Sequence, residues 1–216
     1  LGLPRIDSFV ESDIIFSPHF NLVRTSRHVK RIITFHDLSF VHFPEFYPLR
    51  KQFWHWQQDY AREAEKADAI VAVSEFTGHD LAETLRIEPG KIKVIYAGIN
   101  PSLGISGKEA LEEFCRTRSI NFPFLLYVGT IEPRKNISAI IKAFNELKKD
   151  ERRQKLKLMV VGEKGWLFED TLEEAAASPF AKDIVFWGKA TTEELRALYN
   201  LASVFVYPSF FEGFGF

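Results

Sequence analysis

The sequence predicts an α/β protein made of two Rossmann-like parallel-sheet halves that face each other across a cleft. Three observations predict it. Short apolar, β-rich runs recur along the chain, and helical patterns fall between them. A Pro-, Gly- and Ser-rich stretch, "NPSLGISGK" (100–108), divides the series in two. Alternation of this kind builds parallel sheets covered by helices on both faces. Residues 1–105 form the first half, 106–121 a linker with a short helix around Cys115, and 122–216 the second half.

The elements follow in order. In the first half, "DIIFSPH" (13–19), "RIITFHD" (31–37), "DAIVAVS" (68–74) and "KIKVIYAG" (91–98) read as buried strands ending in polar or turn residues. "LRKQFWHWQQDYAREAEKA" (49–67) reads as one long helix, and "EFTGHDLAETL" (75–85) as a shorter one capped by Ser74. In the second half the strands are "FPFLLYVGT" (122–130), "KLKLMVVGE" (155–163), "DIVFWGK" (183–189) and "SVFVYPS" (203–209). Helices are expected over 137–150, 168–177 and 192–202, the last opened by Thr191 with Glu194 three residues on, a capping box.

Composition narrows the function classes. Among 216 residues, 46% are apolar and 26% charged, with a formal net charge of -1. That balance argues against disorder and against a general nucleic-acid field. The single cysteine, Cys115, excludes an internal disulfide framework or a cysteine zinc site and suits a reducing cytoplasm. No apolar run reaches the roughly 18 residues that span a membrane. The first residue is Leu1 rather than methionine, which suggests a start further upstream.

In an open α/β sheet, ligands bind beyond the carboxyl ends of the strands. Three stretches lie there. In "YVGTIEPRKN" (127–136), Gly129 permits a turn or close backbone approach, and Arg134 and Lys135 precede Asn136, a candidate N-cap. Two cations beside a helix N-terminus suit an anion such as a diphosphate; a solvated loop pair is the alternative. In "YPSFFEGFG" (207–215), Glu212 precedes glycines whose amides can approach a ligand, and an ionised carboxylate there suits sugar hydroxyls. An exposed loop acid is the plainer alternative. In "TFHDLSFVHFPEFY" (34–47), His36 ends a strand and could donate to a substrate hydroxyl or phosphate, or serve only the structure. HxxxH and HExxH spacings are absent, as is an Asp-x-Asp pair, so no metal is expected.

Taken in order, "TFHDL…P", "DAIVAVSEFT…DL", "YVGTIEPRKN" and "FVYPSFFEGFG" resemble the family-4 retaining glycosyltransferases of the GT-B fold over nearly the whole chain, especially their bacterial mannosyltransferase-like members. The resemblance implies an acceptor-side first half and a nucleotide-sugar-binding second half, both incomplete. It implies that Arg134 and Lys135 hold the leaving diphosphate, with Gly129, Thr130 and Asn136 lining the donor site. Many relatives place an arginine directly after the strand glycine, where this chain has Thr130. Glu212 matches the first acid of the family's E-x7-E motif, with Gly213, Phe214 and Gly215 beside it, and His36 matches the histidine that reaches the transferred sugar. Gly98 resembles the glycine of an "NGID" turn whose flanking residues differ here. The second acid would fall beyond Phe216, so the resemblance implies a fragment, expected to be inactive alone.

The implied reaction moves a hexosyl group, mannosyl among the candidates, from a nucleotide-diphosphate sugar to a glycan or lipid-linked acceptor in polysaccharide or cell-envelope biosynthesis. No separate cofactor is implied. The alternatives are a non-catalytic nucleotide-sugar-binding module and a GT-B-shaped epimerase or phosphorylase. A dinucleotide oxidoreductase is disfavoured, because no G-x-G-x-x-G follows a strand. Phe53, Trp56 and Tyr60 lie on one stripe of the 49–67 helix, near Arg50 and Lys51. A core-facing stripe is the preferred reading; peripheral contact with the inner face of a membrane is the other.

Overall fold

A computed structural model of the protein describes residues 5–215. The described residues divide into two compact units: those up to 98 together with 212–215, and residues 99–211.

The first unit carries a four-stranded sheet in the order β1 (Ile14–Ser17), β2 (Lys30–Phe35), β3 (Ala69–Ala72), β4 (Ile92–Val94), parallel throughout. Its helices are the single turn α1 (Ser39–His42), then α2 (Leu49–Gln57), α3 (Tyr60–Lys66) and α4 (Glu75–Thr84). Ile33, Phe35, Ile70, Ala72 and Leu81 form its buried centre. β4 is shorter than its apolar run because β3, its pairing partner, ends at Ala72; one further bond, from Ile95 N to Ala72 O, closes the ladder. Ser74 caps α4 as its sequence position predicts, its hydroxyl accepting from Thr77 N at 3.1 Å.

The expected 49–67 helix is in fact two. Asp59 sits in the left-handed region (φ 49°), a conformation that aspartate tolerates better than most residues. The break lets α3 turn Glu63 and Ala64 inward, while α2 buries no residue fully. The core-facing reading of the aromatic stripe is corrected at two of its three residues. Phe53 is 56% exposed and Trp56 72%. α2 instead rests on Gln52, whose side-chain amide donates to Pro44 O and Tyr47 O, and on His55, stacked on Phe40 at 4.4 Å. Those polar and ring contacts turn Phe53 and Trp56 outward, whereas Tyr60, the third residue of the stripe, lies in α3 and packs edge-on to Phe40 at 4.9 Å against the core, as expected.

Glu63 pairs with Arg31 in a buried ion pair whose side chains are 3% and 10% exposed. A buried charge left without its partner is costly. Glu63→Gln keeps the shape and one acceptor but removes the charge, and is expected to lower stability by about 2 kcal/mol. Denaturant unfolding of the complete protein checks this; an unchanged midpoint would show that solvent already screens the pair.

The second unit has α5 (Lys108–Arg118) leading into a parallel sheet. Its strands are β5 (Phe124–Val128), β6 (Lys157–Val161), β7 (Ile184–Gly188) and β8 (Val204–Phe205), in the order β7-β6-β5-β8. The helices are α6 (Ile137–Lys148), α7 (Glu169–Ala177) and α8 (Thr192–Leu201). Alternate residues of β5 enter two cores. Leu125 and Tyr127 pack with Ile137, Ile141 and Phe144 of α6, while Phe124 and Leu126 pack with Leu198 of α8. Burial on both faces is why β5 reads as an unbroken apolar run. The α8 capping box forms as the sequence predicts, with Thr191 and Glu194 each bonding the other's backbone. β8 stops at Phe205, short of its expected end at Ser209, although Val206 N still reaches Leu126 O. Pro208 has no N–H to continue the ladder.

Candidate active site

In the second unit, Gly129 (φ 156°) follows β5, and Gly162 (φ 145°) follows β6. A Cβ on Gly162 would lie 2.0 Å from the Gly129 carbonyl oxygen, and one on Gly165 would lie 2.6 Å from Thr130 Cγ2. The turn at Gly129–Thr130 therefore packs backbone against backbone, a closeness that only glycine allows. Beside it, Gly129, Thr130, Gly162, Glu163 and Lys189 line a small cavity of about 190 Å³ at the carboxyl ends of β5 and β6.

Four residues on, Pro133–Lys135 forms a 3-10 turn that leads into α6. Proline at its start presets φ, and the turn throws Arg134 and Lys135 toward the segment after β8. The Arg134 guanidinium donates to Glu132 Oε1 (2.8 Å) and to Phe211 O (2.7 Å), and Phe210 N donates back to Arg134 O (3.0 Å). Lys135, 8% exposed, donates to the Tyr207 hydroxyl at 2.7 Å. Tyr207 stacks in turn on Tyr127, whose hydroxyl donates to Thr130 O at 3.1 Å. The two cations are therefore no solvated loop pair; both are held in fixed positions.

Asn136 corrects an expectation. It occupies the N-cap position of α6 in the left-handed region (φ 56°), but its side chain makes no capping bond. Its amide donates to Pro208 O at 3.2 Å instead. Asparagine is needed here for its tolerance of positive φ and for that link.

In the first unit, His36 follows β2, and the 212–215 segment packs against it. Gly213 is buried, and a Cβ there would lie 1.6 Å from the His36 carbonyl oxygen. Its carbonyl accepts from the hydroxyls of Ser74 and of Thr77 (3.2 Å for the latter), at the start of α4. Gly215 (φ 76°) is exposed, and the Phe214 ring lies 6.1 Å from Tyr96. Glu212 is half-buried and belongs to this unit. His36 itself is exposed, and its Nε2 donates to Pro18 O at 3.0 Å. A neutral ring that donates through Nε2 keeps Nδ1 as a hydrogen-bond acceptor, whereas a protonated ring donates from both nitrogens.

Two further histidines of the first unit, His19 and His55, have lowered pKa values. His19 lies two residues beyond β1, its ring 6.0 Å from that of His36. Burial, then the neighbouring His36, hold its pKa below the usual value. His55 is pushed down to about 4, first by burial and then by Lys51 and His19. A folded-state pKa below the unfolded value means the unfolded chain binds the proton first. Stability is therefore complete above about pH 6.5 and falls as pH drops toward 4. His55→Gln is expected to flatten the dependence of Tm on pH across that window. An equal slope in both proteins would refute a neutral buried His55.

Sequence reading named Gly129, Arg134, Lys135 and His36 as candidates but missed Glu132, Tyr207, Gly162 and Thr77, which the structure places in contact with the candidate segments. Glu132 carried a signal, since an acid two residues before an arginine can pair with it across a turn. Tyr207 and Thr77 carried none, because their partners lie 72 and 136 residues away in the chain. Among the described residues no group of three or more His, Cys, Asp or Glu could hold a metal ion.

The chain matches two family descriptions in succession. Residues 4–103 match "Glycosyltransferase Family 4", and residues 116–216 match "Glycosyl transferases group 1". It is 29% identical over 204 residues to the O-antigen chain mannosyltransferase B of Escherichia coli, covering 94% of this chain and 52% of that protein. Among solved structures, WaaG, a glycosyltransferase involved in lipopolysaccharide biosynthesis, aligns with a TM-score of 0.74 at 15% identity, over 96% of this chain and 56% of that one. Anabaena Alr3699/HepE in complex with UDP-glucose aligns at 0.68 and 13% identity, over 91% of this chain and 53% of that one. The chain thus spans about half the length of these proteins. The structural likenesses establish the GT-B fold, and the two successive family matches, which together cover nearly the whole chain, place it in the group 1 glycosyltransferases of family 4.

Proposed function

We propose that the protein to which this chain belongs transfers a hexosyl group, mannosyl foremost, from a nucleotide-diphosphate sugar to a glycan or lipid-linked acceptor, with retention, in polysaccharide or cell-envelope biosynthesis. The observation that carries this reading is the fixed Arg134–Lys135 turn at the start of α6. Breaking a glycosyl–phosphate bond leaves negative charge on the diphosphate and positive charge on the sugar carbon. Cations already fixed in place stabilise that separation more than they stabilise the ground state. The Lys135 ammonium, held by the Tyr207 hydroxyl, is a compact point charge of the kind that suits phosphate oxygens. Gly129, Thr130 and Asn136 shape the donor site beside them. Glu212 accepts from donor sugar hydroxyls, with the 213–215 backbone supporting it, and His36 contacts the transferred sugar.

The mannosyl assignment is supported by the likeness to O-antigen mannosyltransferase B, and a nucleotide donor by the UDP-glucose named for the Anabaena structure. Peripheral membrane attachment through α2 is part of the proposal, since Leu49, Phe53 and Trp56 are exposed on a helix that begins with Arg50 and Lys51. Among the described residues no helix is long and apolar enough to cross a membrane.

The test is release of nucleoside diphosphate by the complete protein from a panel of nucleotide sugars, with and without lipid-linked acceptor. Release that depends on acceptor supports transfer. Donor binding without acceptor-dependent release would leave only a nucleotide-sugar-binding module.

A further inference from the structure

The first unit has a second concavity, at the opposite end of its sheet from His36. It lies where β2 and β3 begin: Arg31 is the second residue of β2, and Asp68 immediately precedes β3. His36, Ser74 and Gly213 gather beyond the carboxyl ends of the same strands, so the two places are distinct. The cavity measures about 760 Å³. One wall is the 22–29 loop, pinned by Leu22 N to Gln58 Oε1 (3.0 Å), Ser26 N to Asp7 Oδ1 (2.9 Å) and Val29 N to Ser26 O (3.2 Å). The other wall is α3 with the end of α2.

Its charges do not balance. The floor carboxylates are already engaged, Glu63 by Arg31, and Asp68 by Lys30 Nζ (2.8 Å) and Arg31 N (2.9 Å). That leaves Arg24, Arg27, Arg62 and Lys66 lining the space, faced by a single carboxylate, Asp59, 3.7 Å from Arg62. Four cations around one concavity repel each other and focus a positive field into it, in a chain whose net charge is -1. An anion with several acceptor oxygens relieves that repulsion, and arginine forks match tetrahedral phosphate oxygens in pairs.

We propose that this cavity binds a phosphate ester, through Arg24, Arg27, Arg62 and Lys66. The volume exceeds that of a bare phosphate ion, so room remains for the esterified group. Gln57, which lines the cavity, ends the helix that exposes Phe53 and Trp56. A lipid headgroup and a soluble phosphate ester are therefore the two sources of this ligand.

The test uses the complete protein with two probes. One is glycerol 3-phosphate, followed by calorimetry and thermal shift. The other is phosphatidylcholine vesicles with or without phosphatidylglycerol, followed by co-sedimentation. The wild type is expected to bind at least one probe, more weakly as salt rises. The double variant R27Q/R62Q, which removes two charge-assisted contacts, is expected to lose about tenfold or more in affinity. Lys135→Ala is expected to bind the cavity probe as the wild type does, which separates this site from the proposed donor site. Binding of glycerol 3-phosphate identifies a soluble ester, and binding only of phosphatidylglycerol vesicles identifies a headgroup. Both side chains are exposed, so the double variant should fold, and Arg27→Glu is the second variant if it does not. Absence of binding to either probe, or undiminished binding by R27Q/R62Q, overturns the proposal.

Discussion

Lys135→Ala in the complete protein is expected to lower turnover by about a hundredfold or more, the cost of removing one preorganised donor from a developing charge. The residue is 8% exposed and its ammonium donates to the Tyr207 hydroxyl, so the charge is held in place rather than free in solvent. The loss should fall on turnover rather than on donor affinity, because the charge it meets grows as the glycosyl–phosphate bond breaks. Tyr207→Phe separates chemistry from positioning. It removes only the hydroxyl that orients the ammonium, and should cost less than Lys135→Ala while moving in the same direction. Steady-state kinetics with a saturating donor decide the matter. Wild-type turnover in Lys135→Ala would remove this residue from the mechanism.

Gly213→Ala is expected to have a comparable effect by a different route. The added methyl would lie 1.6 Å from the His36 carbonyl oxygen and 3.1 Å from the Asp37 Cβ, so it cannot be accommodated without moving backbone. Displacing Gly213 breaks its bonds from the Ser74 and Thr77 hydroxyls and shifts Glu212, its chain neighbour. Stability should fall by about 1–3 kcal/mol, the usual cost of overpacking. Transfer should fall with it, since the proposed sugar contact at Glu212 is displaced. Gly215→Ala is the comparison: nothing lies within 4 Å of its added carbon, and only its positive φ resists, at about 1–2 kcal/mol. Equal Tm and turnover in Gly213→Ala and wild type would mean that the 212–215 segment does not rest on residue 36.

Much of the fold was legible because its signals are local. A strand covered on both faces must be apolar at successive positions, and β5 and β6 are. The caps Ser74 and Thr191 bond only three residues ahead, so sequence spacing suffices to find them. The break at Asp59 gave no such signal. No Gly or Pro marks it, and it exists because Glu63 must reach Arg31, 32 positions earlier. The outward turn of Phe53 and Trp56 was equally hidden, since helical period shows that a stripe exists but not which way it faces.

The sequence by itself determined the alternation of strands and helices, the glycine after β5, and the pairing of two cations with a helix start. Each follows from residues within a few positions of one another. Only the tertiary structure decided what those residues touch. It set Arg134 on Glu132 and Phe211, Lys135 on Tyr207, and Asn136 on Pro208. It also placed Gly213 against His36, 177 positions earlier in the chain. The physical reason is that hydrogen-bond direction and steric closeness depend on where distant segments meet, and that is set by packing of the whole unit.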